Sequence, residues 1–391
     1  MIFIFLSLLL LVALLFKFLT SDGDFTLLSK RHAKREEIED KVVWITGASR
    51  GIGEVLAKQL ASLGAKLILS SRNEAELERV KNQLTGKHAP GEVKIIPLDL
   101  ASSEEFLKEA VEKAESFFSG AGVDYMIHNA AYERPKSTAL DVNEESLKAT
   151  FNINVLGPIS LTRLLAPFML SRGRGHFVVM SSVAGKTPTP GQAIYSASKC
   201  ALNGYFHSLR SELCQKGIKV TVVCPGPIET SNGFGSTSSG NKFTSERRVS
   251  SERCAELTII AATHGLKEVW ISNQPVLAVL YLVQYMPTVG YWLMDKVDIS
   301  SVLVVVSDNN TSPSNGRFTG VVDSMLCVGF YQWEWVVLKM DSPHLSGNHP
   351  KKTWTIVFNC QHSRVSENRR SAFEDAAENS ELFLRGKWIP R

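Results

Sequence analysis

Short apolar runs rich in β-branched residues alternate with longer helical stretches between residues 41 and 297. The runs that predict strands are KVVWIT, AKLILSS, VKIIPLD, DYMIHN, HFVVMSS, KVTVVCP and EVWIS. Strands that alternate with helices are joined by crossovers, which makes them parallel and covers both faces of their sheet. The pattern therefore predicts an α/β domain with a doubly wound parallel sheet over residues 41–297.

The first segment, residues 1–20, is apolar apart from Ser7, Lys17 and its final threonine. About 20 apolar residues span a bilayer as a helix, so this segment is predicted to be a single membrane anchor. A cleaved signal peptide is the alternative, but no basic segment precedes the apolar run and no small-residue cleavage site follows it. The charged linker, residues 21–40, carries basic residues that favour a cytosolic catalytic domain by the positive-inside rule.

The last segment, residues 298–391, shows no periodicity that extends into a familiar unit. It is predicted to be a C-terminal extension of unassigned fold. Two alternatives stay open for it: a small β-rich extension, or a translated region that lies outside the ancestral fold.

Composition excludes two classes of function. A net charge of +4 on 391 residues, without a basic stripe that carries interleaved aromatic residues, argues against nucleic-acid binding. The six cysteines are scattered without metal-ligand spacing, so neither a metal site nor a disulfide framework is expected.

Glycines cluster where the first strand turns into a helix, in the stretch TGASRGIG. Gly47, Gly51 and Gly53 permit a tight turn and let backbone N–H groups approach a phosphate. A glycine triplet between a predicted strand and a helix is typical of dinucleotide binding.

The identity of the dinucleotide follows from the next strand. An NAD enzyme usually has an acidic residue at its end, whereas Arg72 stands there and Arg50 lies in the glycine turn. Two guanidinium groups suit a 2'-phosphate, so NADP is the predicted cofactor. Asp99 is suited to accept from the adenine amino group, and Asn129 with Ala130 is placed beneath the adenosine ribose.

A tyrosine and a lysine share one face of a predicted helix. Tyr195 and Lys199 stand four residues apart, about one turn. The ordinary pKa of a tyrosine phenol is about 10, which is too high for efficient proton exchange at neutral pH. A neighbouring ammonium and a positive nicotinamide ring would lower the pKa of Tyr195. The pair is therefore a candidate general acid/base.

Two serines, Ser181 and Ser182, end the fifth predicted strand. A hydroxyl at that place can hydrogen-bond a substrate oxygen while charge develops on it. Strand periodicity alone does not decide which of the two faces the cleft.

The motifs TGASRGIG, HNAA, FNINVLG, SSVAG, YSASK and PGPIET follow one another in an order and spacing that resemble the short-chain dehydrogenase/reductase family. The resemblance covers residues 41–297, about two thirds of the chain, and implies a Rossmann-like fold. It implies a catalytic tetrad of Asn154, Ser182, Tyr195 and Lys199. In the family the tyrosine moves the proton, the serine orients substrate, the lysine binds ribose and the asparagine holds a relay water.

The resemblance also assigns Pro225, Gly226, Ile228 and Thr230 to the segment that fixes the nicotinamide carboxamide. One departure is HNAA, which begins at His128 and replaces the usual NNAG, with a perturbed cofactor packing as its expected consequence. The expected cofactor-binding positions are Gly47, Ser49, Arg50, Gly51, Ile52, Gly53, Arg72, Asp99, Leu100, Asn129, Ala130, Tyr195, Lys199, Pro225, Gly226, Ile228 and Thr230.

The flanking sequence narrows the resemblance to a membrane-bound branch related to the 11β-hydroxysteroid dehydrogenases. That branch implies the endoplasmic reticulum and a hydrophobic alcohol or carbonyl substrate such as a steroid, a retinoid or another lipid. Its partners would be this substrate, the membrane and, as a candidate assembly, a second copy in a homodimer. The alternative function is a membrane scaffold that binds NADP without catalysis. The short apolar run 276–286 is either core or an interfacial helix.

Overall fold

All seven predicted runs form strands in the computed structural model. The strands in chain order are β1 Val42–Thr46, β2 Lys66–Ser71, β3 Val93–Pro97, β4 Tyr125–His128, β5 Gly175–Met180, β6 Ile218–Pro225, β7 Ile228–Glu229, β8 Val249–Ser250 and β9 Glu268–Ile271. Seven of these pair in parallel in the order β3-β2-β1-β4-β5-β6-β9. The predicted Rossmann-like doubly wound sheet is confirmed.

Helices lie on both faces of the sheet. In chain order, the helices are α1 Ile2–Leu19, α2 Phe25–Leu28, α3 Gly51–Ser62, α4 Glu74–Asn82, α5 Glu104–Gly120, α6 Glu144–Phe151, α7 Gly157–Ser171, α8 Ala193–Leu213, α9 Ser251–Thr263, α10 Val276–Tyr285 and α11 Pro287–Lys296. Helices α3, α4 and α9 lie on one face of the sheet and α5, α7 and α8 on the other, and their side chains form a separate core on each face.

The burial of β1 explains why its sequence is continuously apolar rather than alternating. Every residue from Val42 to Thr46 is buried, because the strand lies inside the sheet and has helices above and below. The carboxyl ends of β1, β2, β4, β5 and β6 meet at one edge of the sheet, where such folds bind ligands.

The segment that precedes the sheet is bonded to its last strand. Gly23 forms an antiparallel bridge with Ile271 of β9, and a carboxylate oxygen of Asp24 accepts from the Trp270 N–H at 2.6 Å. The charged segment between α1 and β1 therefore lies against the domain in the structure. Within the described residues, the helical run that meets the length and composition needed to cross a membrane is Glu144–Ser171, half of which is buried; Phe5–Leu19 of α1 is a shorter apolar helix.

The structure describes residues 2–85, 88–90, 92–132, 138–188, 190–229, 248–296, 336–340 and 354–358. The chain divides into two units, residues 1–311 and 312–391. In the second unit β10 Val336–Met340 pairs in antiparallel fashion with β11 Trp354–Phe358.

Candidate active site

The glycine turn between β1 and α3 leaves no room for side chains. Gly47 and Gly51 have φ values of +67° and +56°, which disfavour residues with a Cβ atom. A Cβ atom on Gly53 would collide with the Gly47 carbonyl oxygen. Ile52 is half-buried and packs on the core. The turn therefore presents bare backbone at the start of α3, as a bound phosphate requires.

Hydrogen bonds from the end of β4 hold this turn in place. The Asn129 side-chain amide donates to the carbonyl oxygens of Thr46 and Gly47, both at 3.1 Å. The Thr46 hydroxyl accepts from the N–H groups of Asn129 and Ala130 at 3.2 and 3.3 Å. Asn129 thus acts on the turn itself, and Thr46, the first residue of TGASRGIG, is a supporting residue to which the motif assigned no role.

Of the three arginines near the turn, one is ion-paired and two are exposed. Arg50 and Arg72 are exposed, and among the described residues neither guanidinium has an ion-pair partner. Arg79 donates to the Ser49 carbonyl oxygen at 2.9 Å and pairs with Glu54 at 2.8 Å. Its hydrogen bond lowers the pKa of the Glu54 carboxyl. Arg79 therefore fixes the turn, while the other two remain available to a ligand.

Asp99 and Leu100 follow β3 at the same edge of the sheet. An Asp99 carboxylate oxygen accepts from the Ala101 N–H at 3.0 Å, which holds the loop in a tight turn. Leu100 is buried and lies against Gly157, where a Cβ atom would come within 2.6 Å of the leucine Cβ atom. This contact brings the start of α7 close to the edge at which the carboxyl ends of the strands meet, which we call the cofactor edge.

Tyr195 and Lys199 lie on the first turns of α8, on one face of that helix. The Lys199 Nζ atom is 5.5 Å from the centre of the Tyr195 ring and donates to the Met180 carbonyl oxygen at 2.8 Å. Lys199 is 2% exposed, whereas Tyr195 is half-buried. A cation held this close favours a phenolate over a phenol.

The two serines after β5 face different neighbours. Ser181 is buried, and its hydroxyl donates to the Lys199 carbonyl oxygen at 3.4 Å. Ser182 is half-buried; its hydroxyl accepts from the Ala184 N–H at 3.1 Å and donates to the Pro225 carbonyl oxygen at 3.4 Å. Ser181 therefore supports the backbone of α8, and Ser182 lies between the ends of β5 and β6.

Asn154 lies in a π-helical turn, Asn152–Leu156, between α6 and α7. Its Oδ1 atom accepts from the Tyr132 N–H at 2.6 Å, and its Nδ2 atom donates to the Tyr132 carbonyl at 3.0 Å and to the Ser198 hydroxyl at 3.2 Å. Ser198 in turn donates to the Tyr195 carbonyl oxygen at 2.7 Å. Such π-helical turns often occur at functional sites. This one is hydrogen-bonded to the segment after β4 and to α8.

The segment after β6 crosses to the edge strand. The Gly226 N–H donates to the Ile271 carbonyl oxygen at 2.8 Å, and a Cβ atom at Gly226 would collide with the Ser272 hydroxyl. Ile228 pairs with Val249 between β7 and β8. Thr230, the last predicted site residue, lies outside the described residues.

His128 is a core residue that does not enter the cofactor edge. Its ring is 3% exposed, stacks on Phe177, packs against Phe206 and hydrogen-bonds the Thr162 hydroxyl at 2.8 Å. Burial lowers the pKa of His128 to about 3, so the ring is neutral at pH 7. The histidine of HNAA is therefore accommodated between α7, α8 and the sheet.

The carboxylate of Glu268 on β9 connects the loop that follows Ser182 to α8, the helix that carries Tyr195. Glu268 accepts from Lys186 at 2.8 Å, from His207 at 2.6 Å and from the Trp270 indole at 2.6 Å. Burial alone would raise the pKa of Glu268, but these three hydrogen bonds outweigh it and lower the pKa to about 2. Lys186 follows the Ser182 loop and His207 belongs to α8, so this cluster fixes both. No sequence motif pointed to Glu268.

Comparison with known proteins agrees with this arrangement. The model of the short chain dehydrogenase family matches residues 41–238. Dehydrogenase/reductase SDR family member 7 from Homo sapiens is 39% identical over 303 residues, which cover 74% of this chain and 88% of that protein. The protein of the same name from Mus musculus is 39% identical over 295 residues, with 72% and 86% covered.

A solved structure of a metagenomic short-chain oxidoreductase in complex with NADP is also similar. It shares 28% sequence identity with a TM-score of 0.50, and the match covers 60% of this chain and 97% of that one. On the family match and the identity to its relatives, the chain belongs to the short-chain dehydrogenase/reductase family of oxidoreductases, which bind a nicotinamide cofactor.

Proposed function

We propose that this protein is a membrane-anchored, NADP(H)-dependent oxidoreductase that interconverts a hydroxyl and a carbonyl group on a hydrophobic substrate. The observation that carries the proposal is the Tyr195–Lys199 pair, with Nζ 5.5 Å from the phenol ring at the ligand-binding edge of the sheet. Ser182 and Asn154 complete the proposed catalytic set around it.

The glycine turn fits the cofactor. Its bare backbone at the start of α3 suits a pyrophosphate, and the exposed guanidinium groups of Arg50 and Arg72 suit a 2'-phosphate. Asp99, Pro225 and Gly226 lie at the ends of β3 and β6, where the adenine and the carboxamide would bind. The NADP complex of the similar metagenomic oxidoreductase supports this choice of cofactor.

Side chains of this protein transfer the proton and bind the substrate oxygen. In reduction the Tyr195 hydroxyl gives its proton to the carbonyl oxygen, and in oxidation the phenolate takes the hydroxyl proton. The Ser182 hydroxyl donates a hydrogen bond to the same oxygen and stabilises its developing charge. Lys199 favours the phenolate, and Asn154 positions α8 through Ser198. The bound nicotinamide would supply or accept the hydride.

The anchor and the substrate class belong together in this proposal. Ten large apolar side chains between Phe5 and Leu19 of α1 are 51% to 68% exposed, which suits a lipid environment. We assign α1 as a single-pass anchor in the endoplasmic reticulum, with the catalytic domain in the cytosol. Steroids, retinoids and other lipid-like alcohols or carbonyls reach such an enzyme from the membrane.

The test is Tyr195→Phe in the full chain. Turnover of carbonyl substrates with NADPH should fall at least about 100-fold, because the proton donor is lost, while NADPH affinity stays unchanged. Tyr205→Phe on the same helix is the matched control and should keep wild-type turnover. Unchanged turnover in Tyr195→Phe would refute the assigned acid/base. A wild-type protein that binds NADPH and reduces no carbonyl in a broad panel would instead be a scaffold without catalysis.

A further inference from the structure

An apolar surface lies on the hairpin formed by α10 and α11, which follows the carboxyl end of β9. No charged residue occurs from Val276 to Met294. The exposed side chains that form the hairpin face are Tyr285, Met286, Val289, Tyr291 and Trp292, which are 41% to 75% exposed. Isolated exposed apolar residues are ordinary, but five large ones within residues 285–292 indicate an interaction surface.

The opposite side of the hairpin is packed, so the exposed face is not a sign of a loosely folded segment. Leu277, Leu280 and Val283 of α10 are at most 2% exposed. A Cβ atom at Gly290 would come within 2.7 Å of the Val283 Cα atom, which shows how closely α11 approaches α10. The inner side of α10 belongs to the core and the outer face of the hairpin is presented to the surroundings.

The hairpin is attached to the end of α1. The Phe18 ring stacks on Phe25 at 5.0 Å and meets Tyr281 of α10 edge-on at 5.6 Å. The Gln274 side chain, just before α10, donates to the Phe18 carbonyl oxygen at 3.0 Å, and the Tyr281 hydroxyl accepts from the Phe25 N–H at 3.0 Å. Whatever surface α1 enters therefore lies beside the hairpin.

We propose that the hairpin face is a second, interfacial contact with the phospholipid bilayer into which α1 inserts. The inference rests on the anchor role assigned to α1 above. Each helix of the hairpin is 10 residues long, too short to span a bilayer, and a helix of this kind lies in the interface instead. Tyrosine and tryptophan side chains, which dominate the face, are favoured at the headgroup level.

This contact places the active site next to lipid. The Gln284 side chain of α10 donates to the carbonyl oxygen of Lys186, in the loop that follows Ser182. A hairpin that rests on the bilayer therefore holds the serine loop beside the membrane surface. A lipid-like substrate would enter the site from the bilayer without crossing water.

The test uses the full chain reconstituted in phosphatidylcholine vesicles that contain a phosphatidylcholine with a photoactivatable diazirine near the glycerol backbone. After irradiation and proteolysis, mass spectrometry should find lipid adducts in peptides from α1 and in peptides that cover residues 285–296. Peptides from α5, on another surface of the domain, should carry none.

The variant Val289→Glu with Trp292→Glu should lose the hairpin adducts and keep those of α1, because charged side chains leave the interface. Phe106→Glu, a change at an exposed aromatic residue of α5, is the matched control and should keep both sets. Adducts in α1 without adducts in the hairpin would overturn this inference and leave the anchor standing. An absence of adducts from both would overturn the anchor as well. In a parallel reaction with a bifunctional amine- and carboxyl-reactive cross-linker, bonds between the hairpins of two copies of the chain, in protein whose hairpin carries no lipid adducts, would also overturn it.

Discussion

The cofactor edge of the sheet and the anchor side of the domain are built on opposite principles. At the cofactor edge, polar side chains are buried and bonded: Asn154 is 1% exposed and Lys199 is 2% exposed. On the anchor side, aromatic side chains are exposed: Phe25 is 54% and Tyr285 is 75% exposed. Catalysis requires groups held in one geometry, whereas a lipid surface adapts to whatever apolar area it covers. Substitutions should therefore be tolerated far less well at the cofactor edge.

Among the substitutions at the cofactor edge, Gly53→Ala should give the largest effect on the free energy of unfolding. Its methyl group would meet the backbone of Gly47, which cannot move without breaking the turn. We expect a loss of about 3 kcal/mol in the free energy of unfolding, measured by urea denaturation in detergent, together with a loss of NADPH binding. Gly204→Ala on α8 is the control: among the described residues, no atom outside the neighbouring backbone of α8 lies within 4 Å of its Cβ position, and the free energy of unfolding should rise by about 0.5–1 kcal/mol. Equal effects at both positions would contradict the steric role of the turn.

Arg50→Ala combined with Arg72→Ala should act on the cofactor and leave the fold intact. Loss of charge-assisted hydrogen bonds to a 2'-phosphate should raise KM for NADPH by about 10- to 100-fold. KM for NADH should not change, since that cofactor lacks the phosphate. Arg163→Ala, which removes one exposed guanidinium paired with Glu104, is the control for the loss of surface positive charge. A parallel rise in KM for both cofactors would show that the arginines do not read the phosphate.

Glu268→Gln tests the cluster that lies between the two regions. At pH 7 we expect a loss of about 1 kcal/mol in the free energy of unfolding, since one acceptor loses its charge. The pKa of Glu268 is about 2 in the folded protein, below its unfolded value, so its stabilisation is present above about pH 4.3 and is lost as the pH falls towards 2. The difference between wild type and variant should shrink over that window. A difference independent of pH would contradict this assignment.

Trp292→Ser on the hairpin face should have the smallest effect on stability. The side chain is 48% exposed, so the free energy of unfolding in detergent should change by less than about 0.5 kcal/mol. The same change at Trp44, which is fully buried and bonded to the Ser70 hydroxyl, should cost about 3–5 kcal/mol. A large cost at Trp292 would mean that the face is packed in the protein alone.

The sequence predicted the sheet well because its signals are local. All seven strands were located to within two residues at each end, since each is a continuous apolar run that the sheet buries on both faces. The turn at Gly47 and the one-turn spacing of Tyr195 and Lys199 were also predictable from neighbouring residues. Strand periodicity alone could not choose between Ser181 and Ser182, and the resemblance to the family favoured Ser182. The different neighbours of the two serines are visible only in the folded chain.

The supporting residues were not predictable, because their partners lie far along the chain. Glu268 meets Lys186 and His207, which precede it by 82 and 61 residues. The Thr46 hydroxyl, at the end of β1, accepts a hydrogen bond from the Asn129 N–H, which follows the neighbouring strand β4. No periodicity or motif indicates which residues these side chains meet, because the partners belong to different local elements.

By itself the sequence determined the order of strands and helices, the glycine turn and the tyrosine–lysine spacing, because these depend on residues close together in the chain. Tertiary structure alone decided which segments meet. The hydroxyl of Ser198 reaches Asn154, and the ring of Phe18 reaches Tyr281, through contacts that span many elements. Such contacts form only when the sheet has brought its edges and helices together, and for that reason the support of the active site and the apolar face beside α1 are properties of the fold.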